Sequence, residues 1–136
     1  MVLPRTRKKT IGDRGEVIAV KMFKKMGFKV IERNYRASHY EIDFIAMDKE
    51  HVVFVEVKAR SCEDPENMPF GRPSRAVTAS KQSYLINAAR AYLKLNRKCD
   101  GLLVRFDVVE VFFDKNEDVN KKKVLKTNHI RNAFRA

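Results

Sequence analysis

Residues 40–60 restrict the fold more than any other stretch: Tyr-Glu-Ile-Asp-Phe-Ile-Ala-Met-Asp is followed, after a short polar break, by His-Val-Val-Phe-Val-Glu-Val-Lys-Ala-Arg. Both halves have the β-branched and aromatic content of strands. Side chains alternate along a strand, so Glu41 and Asp43 share a face with Ile45 and Met47, and Glu56 and Lys58 share one with Val52 and Phe54. The break at Asp48–His51 suits an antiparallel hairpin. Pairing Asp48 with His51, or Met47 with Val52, sets Asp43 opposite Glu56 and Glu41 opposite Lys58. A slip of one residue would send the two polar sets to opposite faces, and the apolar neighbours are what hold the register.

Charged groups on a buried face are costly unless they are paired or bound to metal. Ion pairing of Lys58 with Glu41 or Glu56 is the plainer explanation for a lone Glu-x-Lys. Two acidic strands meeting at one point favour a site.

The remaining elements follow in order. Thr10 and Asp13 resemble a capping box opening an amphipathic helix that runs to Met26 and stops at Gly27. Ala19, Met22, Phe23 and Met26 form its apolar stripe, which places Glu16 on the inner side; the alternative for Glu16 is an acid complementing the helix macrodipole. Phe28–Tyr35 reads as a first strand. His39, in the link to the hairpin, reads as a solvated loop residue and is left out of the site. Ser61–Val77, with Pro65, Pro69, Gly71 and Pro73, reads as a long loop, either a flexible connector or a flap over the site. Thr78 or Ser80 caps a second helix to about Asn96 with Leu85, Ala89, Tyr92 and Leu93 buried. Lys81 and Gln82, in its first turn, either reach a phosphate or are simply solvated. Leu102–Phe113 is a further strand, able to lie parallel to the one carrying Glu56 because a helix separates them, and Asp107 within it either joins the acids or, as the default, pairs with Arg105. Asp114–Asn120 is a polar loop, Val124–Lys126 a short edge strand with guarding lysines, and Thr127 or Asn128 caps a final short helix through Phe134.

A chain of 136 residues with no internal repeat or linker is one domain, with a basic N-terminal arm and a basic C-terminal tail. Its 29 Lys and Arg against 17 Asp and Glu give a net charge of +12, which points to a polyanion, most simply nucleic acid, with an anionic membrane surface or mere solubility as alternatives. Cys62 and Cys99 lack metal-type spacing and read as free thiols of a reducing, cytoplasmic compartment. No apolar run reads as a signal peptide or a transmembrane helix, so no membrane role is expected.

Gly12-Asp-Arg-Gly-Glu16, Glu41-Ile-Asp43, Phe54-Val-Glu-Val-Lys58, Phe70-Gly71, Arg105-Phe-Asp107 and Asn132-Ala-Phe134 together resemble the YraN-like family of bacterial proteins, within the PD-(D/E)XK, restriction-endonuclease-like nuclease class. The resemblance spans nearly the whole chain. Tyr40 stands where the family usually has glycine, narrowing access to the acids, and Ile42 where the wider class often has proline. The resemblance implies an α/β fold with a mixed central sheet, an antiparallel hairpin and flanking helices. It also implies roles: Asp43 and Glu56 holding Mg²⁺ or Mn²⁺, Glu16 helping through water, and Lys58 orienting the attacking water or stabilising developing charge. Glu41 would stand one layer behind the ligands. Such carboxylates match the oxygen preference of hard cations. The expected activity is metal-dependent endonucleolytic hydrolysis, with DNA as the first partner, branched forms included, and a homodimer compatible. A non-catalytic nucleic-acid-binding domain is the alternative, and a protein-interaction module the third reading.

Overall fold

The computed structural model describes residues 9–64 and 77–136. Helix α1 (Ile11–Lys25) opens on the expected capping box: the Thr10 hydroxyl accepts from the Asp13 amide, and the Asp13 carboxylate accepts from the Thr10 amide. These bonds satisfy amide groups that a helix start leaves orphaned. Strand β1 (Lys29–Ala37) turns into β2 (Tyr40–Met47), and β2 into β3 (His51–Ser61). Helix α2 (Ala79–Leu95) starts at Thr78, whose hydroxyl accepts from the Lys81 amide at 3.2 Å. A 3₁₀ turn (Arg97–Cys99) leads to β4 (Leu103–Phe113), and another (Val119–Lys121) to β5 (Val124–Phe134).

The strands form one mixed sheet in the order β1-β2-β3-β4-β5. All neighbours are antiparallel except β3 and β4, which run parallel from His51↔Leu103 to Ser61↔Phe113, with α2 lying between them in sequence. On one face, Phe44, Ala46, Val53, Val55, Val109 and Val111 pack against Ala19, Val20 and Phe23 of α1. On the other, Ile45, Val52, Phe54, Phe106 and Val108 pack against Leu85, Ala88, Ala89 and Tyr92 of α2. The central strands are buried on both sides, which explains their nearly unbroken apolar runs.

Gly15 sets how closely α1 approaches the sheet. A Cβ there would stand 3.1 Å from Ala59 Cβ and 3.6 Å from Val57 Cγ1. Its lack of a side chain lets the first turns of α1 lie on β3 and β4, which brings the adjacent Glu16 down to the sheet. Arg14 fastens the same turn, donating to the carbonyls of Val119 (2.8 Å) and Lys122 (2.6 Å) across the Phe113 ring.

The C-terminal end differs from the sequence expectation. No helix begins at Thr127 or Asn128; strand β5 continues from Val124 to Phe134. Strand β4 is buried from Phe106 to Phe113, and without a neighbour its second edge would leave buried backbone groups unpaired. The gain from completing that ladder outweighs the capping preference of Thr127 and Asn128. Cys62 and Cys99 are buried free thiols. The proposed flap falls largely on residues 65–76, and Phe70-Gly71 wholly within them, so both lie outside the described residues, as does most of the basic N-terminal arm.

Candidate functional site

The β2–β3 ladder runs in the expected register from Met47↔Val52 to Phe44↔Val55. Asp43 and Glu56 come next in that register, just past the last ladder pair, and the facing of Glu41 with Lys58 is not realised as a pair. Glu41 is drawn instead to its β1 neighbour Arg36, at 3.5 Å. Where the ladder stops, the Asp43 carboxylate takes its place, accepting from the Val57 amide at 2.7 Å. A backbone amide points within the sheet, so Asp43 sits in the seam between the strands. Alternation also breaks there: Ile42 joins Ile45 in the cluster under α2, while Phe44 and Ala46 join the opposite one.

From this seam Asp43 meets acids from both layers. Glu16, from α1, lines a cavity of about 200 Å³ with Asp43, Glu41, Asn34 and Val57. Burial, then the charge of Asp43, raises the Glu16 carboxyl above its ordinary value, against the pull of Arg33 at 3.3 Å. Asp43 is itself raised, by burial first, with the Val57 hydrogen bond and Lys81 opposing. Glu56 does not line that cavity; it belongs to the α2 side, where Lys58 lies 3.8 Å from Oε1 and Lys81 4.0 Å from Oε2. It is 7% exposed, and burial followed by the charge of Asp43 pushes its pKa to about 7. Glu56 Oε2 is buried with no hydrogen-bond partner.

Asp43 therefore couples to Glu16 on one side and Glu56 on the other, with Lys58 and Lys81 facing Glu56. Lys81, expected to meet a phosphate or solvent, lies instead 4.0 Å from Glu56. Gln82 does not: its amide donates to the Val77 carbonyl at 3.0 Å and closes the start of α2. His39 is an exposed turn residue between β1 and β2. Among the described residues, no group of three or more His, Cys, Asp or Glu side chains is placed as a ready metal cage. Mg²⁺ and Mn²⁺ do not need one, since one or two carboxylates with waters and a substrate phosphate complete their shells. The carboxylate donors, and a Glu56 oxygen without a hydrogen-bond partner, are of the hard-oxygen type such an ion takes.

Sequence reasoning missed Arg33, which restrains Glu16, and Asn34, which lines the cavity with a left-handed backbone (φ 51°). A bulge in β1 between Val30 and Glu32 shifts the pairing frame, and strict alternation cannot foresee it.

Asp107 is a second buried acid, of another kind. It accepts two hydrogen bonds from Arg105 at 2.8 Å each, lies 2.7 Å from His129 Nε2, and accepts from the Asn132 amide at 2.9 Å. Between Phe106↔Phe134 and Val108↔Ile130 the register shifts, and Asp107 fills that defect in the ladder. Burial alone would raise its pKa, but these partners hold it below the usual carboxylate value. The expected Arg105 pairing is present, and the Arg105-Phe-Asp107 and Asn132-Ala-Phe134 blocks meet here.

A five-stranded mixed sheet between two helices, with acids and a lysine gathered where its central hairpin parts, defines a protein of restriction-endonuclease-like fold. The model of Uncharacterised protein family UPF0102 matches residues 15–111, a span that includes Glu16, Asp43, Glu56, Lys58 and Asp107. A UPF0102 protein of Caldicellulosiruptor saccharolyticus is 39% identical over 127 residues, 93% of this chain and 98% of its own length. One from Clostridium perfringens is 40% identical over 127 residues (93% and 95%), and one from Caldanaerobacter subterraneus 37% over 132 (97% and 100%). The chain belongs to the UPF0102 family, the YraN-like family that the order of its motifs points to. No helix among the described residues is long and apolar enough to cross a membrane.

Proposed function

We propose that this protein binds nucleic acid and hydrolyses its phosphodiester bonds as an Mg²⁺- or Mn²⁺-dependent endonuclease, with DNA, branched forms included, as the first substrate to test. The observation that carries the reading is the Asp43–Glu56 pair: a half-buried and a buried carboxylate, the charge of the first raising the pKa of the second, which has an oxygen without a hydrogen-bond partner, beside Lys58 and Lys81. Ionising Glu56 there is unfavourable even with the two lysines nearby, since burial and the Asp43 charge keep its pKa raised. Asp43 and Glu56 would hold the ion, with Glu16 reaching it through water. When bound, the ion would lower the pKa of its water and offset charge on the phosphate. Lys58 supplies a positive charge beside Glu56, where it can orient a water or meet charge developing on a phosphate oxygen. The net charge of +12 supplies the sequence-independent attraction for a polyanion that a cleft of acids would otherwise repel.

The second reading is a nucleic-acid-binding domain that keeps the nuclease fold without turnover. One observation favours it: Glu16 is held by Arg33 at 3.3 Å. Incubating the protein with linear and branched DNA and RNA, in Mg²⁺ or Mn²⁺ and in chelator, separates the two. Divalent-dependent cleavage supports the enzyme; salt-sensitive binding with no cleavage of any form supports the binder.

A further inference from the structure

Tyr84 is half exposed, on the first turns of α2, and its ring packs against Tyr40 at 5.0 Å between centroids with 33° between planes. Nothing in the core requires this ring: the buried face of α2 is made by Leu85, Ala88, Ala89 and Tyr92. Both tyrosines are tied to the acid site. Tyr84 follows Lys81 by three residues, so the two share one side of the helix, and Lys81 reaches Glu56 at 4.0 Å. Tyr40 precedes Asp43 by three residues on β2, about 10 Å along a strand. The Tyr40 ring thus packs under Tyr84 on the α2 side and supports it, leaving the aromatic surface open beside two lysines.

We propose that Tyr84, backed by Tyr40, is a stacking platform for an unpaired nucleobase next to the acid site, so that the preferred substrate is nucleic acid with single-stranded character. This rests on the nucleic-acid reading above and names its substrate class. In a continuous duplex the base faces are covered by their neighbours, and a tyrosine on this surface meets only backbone. In a single strand, fork or bulge a base can leave the stack and lie on the ring, while Lys58 and Lys81 meet the adjacent phosphate. Stacking on an aromatic platform is tolerant of sequence, and the site is expected to discriminate by strandedness more than by base identity.

The test is fluorescence anisotropy in chelator at low salt, with a labelled single strand, a duplex of equal length and a single strand of abasic residues. Tyr84→Leu keeps apolar cover over Tyr40 and removes the ring; Tyr84→Phe keeps the ring. Tyr84→Leu is expected to weaken single-strand binding roughly five- to a hundredfold, with duplex affinity and the salt slopes unchanged because no phosphate contact is lost. Tyr84→Phe should bind like the parent, and the abasic strand should not respond to either change. With no Trp and 4 Tyr in the chain, stacking is also read directly as tyrosine quenching. Unchanged single-strand affinity in Tyr84→Leu, an equal loss on strand and duplex, or a parent that binds duplex alone overturns the platform and leaves the nucleic-acid reading standing. A parent that binds none of the three overturns that reading itself.

Discussion

Replacing Glu56 by glutamine tests whether its carboxylate is held at a cost. Burial and the neighbouring Asp43 charge push its pKa from an ordinary 4.5 to about 7. At about 1.4 kcal/mol for each tenfold change in proton affinity, the gap corresponds to about 3 kcal/mol. The sign follows from proton binding: the folded state holds this proton more tightly than the unfolded chain, so stability from the group is full below 4.5 and is lost as pH rises through 7. Above pH 8 the native protein carries the whole penalty of an ionised Glu56 beside Asp43; near pH 5 it carries under about 1 kcal/mol. Glutamine has the shape of the protonated acid and never ionises. Glu56→Gln should therefore be more stable than the parent by up to about 3 kcal/mol above pH 8, raising Tm by roughly 5–10 °C for a domain of this size, with the difference nearly gone at pH 5. Thermal melts in chelator at the two pH values measure it. A glutamine variant less stable than the parent at pH 8 would refute the reasoning, and would mean that Lys58 and Lys81 hold Glu56 as an ordinary structural ion pair.

Other perturbations separate chemistry from architecture. Asp43→Asn should abolish divalent-dependent cleavage while nucleic-acid affinity in chelator stays equal or tightens, because a charge that repels phosphate is gone; cleavage at the parental rate would remove Asp43 from the site. Lys58→Ala should lose cleavage with divalent binding retained, as followed by metal titration. Asp107→Asn should cost on the order of 3 kcal/mol in urea denaturation by leaving Arg105 and His129 short of their partner, with divalent binding unchanged. Because the Asp107 pKa is depressed, its stabilisation is present above pH 4 and lost as pH falls below it, so the variant should show a shallower acid limb than the parent. Gly15→Ala gains about 1 kcal/mol of helix propensity but meets Ala59 at 3.1 Å, an overpacking that costs about 1–3 kcal/mol; a raised denaturation midpoint would contradict that packing.

The elements whose pattern is local were legible in the sequence. The Thr10–Asp13 capping box, the Gly27 stop and the parallel placement of β4 all follow from short-range signals or from the helix between two strands. The hairpin register followed from a four-residue break flanked by apolar alternation. What alternation could not give was the place where the ladder ends. Asp43 bonding the Val57 amide, and Ile42 turning to the Ile45 side, are departures from the ideal strand, and such departures arise where a side chain competes with backbone pairing. Val124–Lys126 reads correctly as an edge strand, but the rest of β5, from Thr127, reads as helix because its local preferences are weak and its state is decided by the unpaired edge of β4, some 20 residues away in the chain. Arg33 and Asn34 were hidden by the β1 bulge.

Two of the sheet's buried acids, Asp107 and Glu56, have opposite settings. Asp107 lies at a ladder defect and is surrounded by Arg105, His129 and the Asn132 amide, so its charge is favoured and its pKa falls. Glu56 lies just past the last pair of another ladder, and its nearest charged neighbours are a second acid and two lysines at 3.8 and 4.0 Å. Its charge is disfavoured, and one of its oxygens has no hydrogen-bond partner. The same polypeptide thus meets the needs of a structural carboxylate with four hydrogen-bond contacts and leaves another short of partners on the adjacent strand. A fold under selection for stability alone would lose little by replacing Glu56 with a neutral residue. On the proposed metal-binding reading, a positive ligand binds at Glu56 when the proton leaves. That account makes divalent affinity rise between pH 6 and 8, as Glu56 gives up its proton. Calorimetric titration with Mg²⁺ or Mn²⁺ across that range, in parent and Glu56→Gln, should show proton release in the parent alone; an affinity flat with pH would separate Glu56 from the metal.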